Sequence, residues 1–156
     1  FAASVYASQC EPDEEVVLTP VTFWARGDRN IGGVLPLIVL TNCDAVELRY
    51  GNAPPKRVTP DRERFAHLPH APVVIDRRHF SVDELGLWGM QWESATVTGL
   101  VDGRAVKTMR FAADPVATRL TVTPDATAIA RDDCVRVLVR ALDQVGNKMP
   151  FLFEPV

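Results

Sequence analysis

No apolar run in this 156-residue chain is long enough to cross a bilayer, which removes the membrane as a partner. An excess of positive charge is also missing. The net charge is -3, and Lys and Arg are scattered among carboxylates, so the basic face that a nucleic-acid partner requires is not there. Cysteine is scarce: Cys10, Cys43 and Cys134 lie far apart, at least one must stay unpaired, and no pair has metal-ligand spacing. We expect three buried free thiols, the usual fate of such residues. The chain opens on Phe1, and its first ten residues have neither the basic flank nor the apolar core of a signal peptide. That reads as a piece excised from a longer protein, and with an unpaired cysteine it favours the cytoplasm.

What is present is a globular composition, 47% hydrophobic and 24% charged, with 12 prolines and 9 glycines spread along the whole length between short β-branched runs. Such punctuation leaves little room for helix. Val46, Leu48 and Tyr50 alternate with Ala45, Glu47 and Arg49, the period of two that sends one face of a strand to a core and the other to water. Thr96 to Val101 and Arg104 to Phe111 flank Asp102-Gly103, a dipeptide that supplies the positive φ angles of a type I′ turn, so a β-hairpin is predicted there. Further on, Leu120 and Val122 alternate with Arg119, Thr121 and Thr123; after Pro124-Asp125, Val135, Val137, Val139 and Ala141 alternate with Arg136 and Arg140. Asp143 to Lys148 reads as a turn. Helix is expected only at Ala2 to Gln9 and, as one turn with a capping box, at Ser81 to Leu85.

The predicted class is therefore all-β: an immunoglobulin-like β-sandwich followed by a partial second one. Residues 1–14 read as a helix end and linker, 15–112 as the sandwich and 113–156 as the partial unit. A partial sandwich leaves an apolar face and a strand edge uncovered, which predicts self-association through the C-terminal segment.

Several blocks, in order, resemble the β-sandwich region that follows the catalytic barrel in family 2 glycoside hydrolases, the β-galactosidase and β-glucuronidase group. Thr41-Asn42-Cys43-Asp44-Ala45-Val46-Glu47-Leu48, leaving the apolar run from Val34 to Leu40, is similar to a "TNCDxVEL" signature of that group. Ala3 to Gln9 resembles the end of the last barrel helix, and Pro20 to Trp24 an aromatic segment entering the first strand. Trp88 to Val106 resembles a family hairpin, and Asp133 to Pro150, with Asp143, Gly146, Asn147 and Pro150, a strand and turn that open the next sandwich. Tyr50-Gly51-Asn52 departs from the pattern in being followed by Pro54-Pro55, which predicts a longer connection, and the charged, proline-rich insert 57–78 has no counterpart. The resemblance implies a non-catalytic accessory unit whose partner is the catalytic barrel of a glycosidase.

No residue of this chain stands out as catalytic. Family 2 enzymes use two glutamates on barrel strands, and here Glu47 lies on an outward strand face, Glu11, Glu14 and Glu15 form an acidic run, and Glu63, Glu84 and Glu93 fall in polar loops. His67-Leu68-Pro69-His70, with Asp76 and His79, contains ligand types for a divalent metal, but the proline breaks the helical i, i+4 presentation, so no metal or other cofactor is expected. Trp24, Trp88 and Trp92 are the candidate sugar-binding residues, because apolar CH faces of a sugar stack on exposed indoles; packing in the core or against the barrel is the competing role. The alternatives to an accessory unit are a carbohydrate-binding module and a free-standing immunoglobulin-like adhesion domain.

Overall fold

A computed structural model describes residues 2–22, 24, 36–81 and 93–150. The chain divides into two compact units, residues 1–113 and 114–156. Among the described residues no helix is long and apolar enough to cross a membrane.

The described residues of the first unit form the short helix α1 (Ala2–Ala7) and seven strands: β1 (Leu18–Pro20), β2 (Leu37–Thr41), β3 (Ala45–Tyr50), β4 (Lys56–Val58), β5 (Val73–Ile75), β6 (Ala95–Val101) and β7 (Arg104–Phe111). They form two antiparallel sheets, β1-β2-β5 and β4-β3-β6-β7. Three strands face four, the layering of an immunoglobulin-like sandwich. The core between them takes Leu18, Leu37, Val39, Val73 and Ile75 from the first sheet and Val46, Leu48, Tyr50, Val58, Ala95, Val97 and Phe111 from the second. Val39, Val46, Leu48, Val73 and Ile75 have no solvent-exposed surface, so each contributes about 1.5–3 kcal/mol of burial relative to an exposed position.

Alternation accounts for the faces of β3 from Val46 onward, where Val46, Leu48 and Tyr50 are buried while Glu47 is half-buried and Arg49 exposed; Ala45, expected on the outward face, is buried. Glu47 stands opposite Arg57 of β4, so the outward face carries a cross-strand pair of opposite charge. The β6–β7 hairpin turns at Asp102 (φ 49°) and Gly103 (φ 75°), two consecutive left-handed residues as a type I′ turn demands. Within that hairpin the register shifts between Gly99 and Leu100.

Three readings of the sequence change in the structure. The insert 57–78 contains the end of β4 and all of β5, and it carries the chain from one sheet to the other. Its Val73-Val74-Ile75 run, between Pro72 and Asp76, is a buried strand too short to show alternation. Pro20 ends β1, so the segment to Trp24 leaves the first strand where the sequence suggested an entry. Of the cysteines only Cys43 is buried; Cys10 sits in the loop after α1 and Cys134 in the long β8–β9 connection, both exposed and all three free. The predicted capping box at Ser81 to Leu85 extends outside the described residues.

The described residues of the second unit form an antiparallel hairpin, β8 (Ala117–Pro124) and β9 (Val137–Asp143). Its connection spans residues 125–136 and is closed at the base by the Arg136–Asp125 ion pair, 2.8 Å, and by Asp125 N–H donating to Arg136 O. After β9, the Asp143 carboxylate accepts the N–H groups of Val145 and Asn147 at 3.0 and 2.7 Å, and Gly146 (φ 89°) completes the reversal. Lys148 then pairs with Leu142, and Met149 N–H donates to Ala141 O.

Candidate functional site

The Thr41–Asp44 signature is a corner. β2 and β3 follow one another in the chain yet belong to different sheets, so these residues carry the backbone across the edge of the sandwich. A buried corner must satisfy its polar groups locally. Asn42, 2% exposed, does so with its whole amide: Oδ1 accepts the Val17 N–H at 2.8 Å, and Nδ2 donates to the carbonyls of Cys10 at 2.9 Å and Glu15 at 2.8 Å. Thr41 Oγ1 donates to Val17 O at 2.7 Å and accepts the Cys43 N–H at 3.1 Å. Asp44 secures the far side, its N–H donating to Leu100 O and its carboxylate accepting the Asp102 N–H at 2.8 Å. Burial pushes the Cys43 thiol above its ordinary pKa, with the Thr41 hydroxyl opposing the shift.

The segment held by Asn42 is the connector between α1 and β1. A second clasp lies close to α1, where Gln9 Nε2 donates to His70 O at 3.0 Å and Gln9 Oε1 accepts the His70 N–H at 3.2 Å. Ser8, 2% exposed, donates to Val5 O and accepts from the same Gln9 amide. His70 Nε2 lies 3.6 Å from the Glu11 carboxylate. Residues 8–17 are thus fixed to the sandwich at both ends by two side-chain amides used in full. The sequence pointed to the Thr41–Asp44 block as a signature without revealing this role. The signal was there in a lone asparagine between two strand patterns, a residue type that bonds neighbouring backbone when strands end.

The candidate chemical groups scatter. Glu47 is on β3, Glu11, Glu14 and Glu15 are in the connector, and Glu63 and Glu93 are exposed, while Glu84 lies outside the described residues. Among the described residues the carboxyl that departs clearly from its ordinary pKa is Asp76, and it moves down to about 2, chiefly because the Arg78 guanidinium forks onto both of its oxygens at 2.7–3.0 Å. A carboxylate held ionised in this way is the opposite of a general acid. The histidines part company: His67 is exposed, His70 takes the Gln9 clasp, and His79 Nδ1 accepts the Asp76 N–H at 3.2 Å. Among the described residues no group of three or more His, Cys, Asp or Glu is placed to hold a metal. Trp24 is 7% exposed, stacks on Phe111 with centroids 4.9 Å apart, and donates Nε1–H to Ala112 O at 2.7 Å. Its indole is a core residue with its polar tip satisfied. Trp88 and Trp92 lie outside the described residues.

No protein-family model matches the chain. Curated relatives do, over its full length: a β-galactosidase of Rhizobium meliloti is 63% identical over 158 residues and one of Thermoanaerobacterium thermosulfurigenes 44% over 159. A third, from Thermoanaerobacter pseudethanolicus, is 33% identical over 174 residues. The chain is homologous to one region of β-galactosidases. It spans only 21–22% of the length of these relatives. Among solved structures, a β-glycosidase from Bacteroides vulgatus superimposes with a TM-score of 0.55 at 16% identity, covering 94% of this chain and 16% of that one, which supports the fold alone.

Proposed function

We propose that the chain is a non-catalytic accessory β-sandwich of a β-galactosidase-like glycoside hydrolase, whose task is to brace the catalytic barrel of the longer polypeptide. The observation that carries this reading is the double clasp of residues 8–17 by Asn42 and Gln9 in a region homologous throughout to β-galactosidases. A sandwich that merely followed a barrel on a slack tether would not need two buried amides to fix its entry. The scattered carboxylates and the ion-paired Asp76 agree with an accessory role, because glycoside hydrolysis requires one carboxyl held protonated beside a second held ionised. Burial of Trp24 removes one of the three stacking residues that a carbohydrate-binding module would use.

The test places Asn42→Ala in the full-length polypeptide. The buried Val17 N–H and the part-buried carbonyls of Cys10 and Glu15 lose their partner, at a cost of about 1–3 kcal/mol, so the temperature at which activity is lost should fall by a few degrees or more. KM for an aryl β-galactoside should stay within about twofold of the parent value, as expected for uniform binding left untouched. A change in KM or kcat at undiminished thermal stability would place Asn42 at the substrate and overturn the bracing role.

A further inference from the structure

Gln9 holds His70 by its backbone: the His70 N–H donates to Gln9 Oε1 and the His70 carbonyl accepts from Gln9 Nε2. The imidazole takes no part in that clasp. It is nevertheless only 16% exposed, and its Nε2 lies 3.6 Å from Glu11 Oε1 of the connector. Among the described residues this Nε2 is buried without a hydrogen-bond partner. Neither neutral tautomer suits the position, because an acceptor nitrogen there faces a carboxylate oxygen, and an N–H there stops short of it at a distance too long for a hydrogen bond. Protonation removes the conflict. The imidazolium carries a proton on Nε2 and a charge opposite to that of Glu11, whose side chain, 71% exposed, is free to close the remaining gap.

We propose that His70 and Glu11 form a proton-operated latch on the entry connector. Uptake of a proton at His70 Nε2 adds an ion-paired hydrogen bond between the 59–72 loop and residues 8–17; its loss releases that bond and leaves the Gln9 clasp in place. The loop holds the ring still by closing on itself: Asp61 N–H donates to Pro72 O at 2.9 Å, Phe65 N–H to Asp61 O and Leu68 N–H to Phe65 O at 3.1 Å each, and Arg62 Nη1 to Pro69 O at 3.4 Å. The charges about it favour the imidazolium on the connector side, where Asp13, Glu14 and Glu15 follow Glu11 and the titratable neighbour is the exposed Cys10. Helix α1 offers Tyr6 and no charge. On the loop Arg62 opposes, Arg64 is paired with Asp61, and Glu63 and His67 are exposed. The latch thus adds stability below the ordinary histidine range and loses it as pH rises through that range. It regulates the clasp on which the accessory reading rests, but stability and not activity tests it, so either can fail without the other.

The experiment is a double-mutant cycle of Glu11→Gln and His70→Gln in the 156-residue chain, with urea midpoints read by tryptophan fluorescence at about pH 5.5 and about pH 8. Trp24, Trp88 and Trp92 all belong to the first unit, so the signal reports the unit that contains the latch. Glu11→Gln should lower the midpoint by about 0.3 M or more at the acidic pH and by under about 0.1 M at the alkaline one, and should have no effect at either once His70 is changed. An equal loss at both pH values, no loss at the acidic pH, or a loss that persists in the His70→Gln background would each overturn the latch.

Discussion

At the scale of single residues, the sandwich depends on close fits at its corner. A Cβ added at Gly99 would lie 2.6 Å from Cys43 Sγ and 3.5 Å from Leu18 Cδ1, so Gly99 marks where β6 passes directly over the corner thiol. Gly99→Ala should therefore destabilise by about 1–3 kcal/mol through overpacking. In a Cys43→Ala background the same substitution should cost clearly less, because the clashing atom is gone; equal costs in the two backgrounds, measured by urea denaturation, would exclude the contact as the cause. Asp76 supplies a second residue-scale expectation. Its folded pKa of about 2 lies below the ordinary 3.8, so its pairing with Arg78 stabilises the folded state above pH 4 and is lost as pH falls from about 4 towards 2. An NMR titration of the Asp76 carboxyl should have its midpoint near 2 in the parent chain and move up towards the ordinary value in Arg78→Ala.

At the scale of elements, period-two alternation is the determining feature, and β3 is where it can be tested most sharply. Val46 is wholly buried, opposite Val58 and Gly99, whereas Glu47 faces outward between Arg57 and Thr98. Val46→Asp buries a charge with no partner and should cost several kcal/mol, while Glu47→Ala should cost under about 0.5 kcal/mol. Equal melting temperatures would show that the faces of the strand are exchanged. The same alternation made β3, β8 and β9 readable from sequence, and Asp102-Gly103 located the turn between β6 and β7 because only residues tolerant of positive φ fit there. β5 escaped notice for a physical reason: Val73, Val74 and Ile75 are all buried, so no polar residue interrupts them to give a period. Nor could the role of Asn42 be read from spacing, since its three partners, at Cys10, Glu15 and Val17, are brought to it only by the fold. The exposed cysteines were misjudged because composition ranks residue types and is blind to whether a position falls in a loop.

At the scale of the whole chain, the two units differ in how far they satisfy themselves. The first closes a core between two sheets and clasps its own entry segment; the second displays on one face the aliphatic residues that the first hides. Homology to about a fifth of each β-galactosidase makes the chain one region of a larger molecule, and a supporting part in it is the role proposed above. The most direct test of that account is whether the purified 156-residue chain turns over an aryl β-galactoside. We expect no hydrolysis above background at any enzyme concentration reached, since the proposed accessory role leaves the paired carboxyls that the reaction needs to the rest of the polypeptide. Turnover that disappears when one of this chain's own glutamates is changed to glutamine would contradict the account.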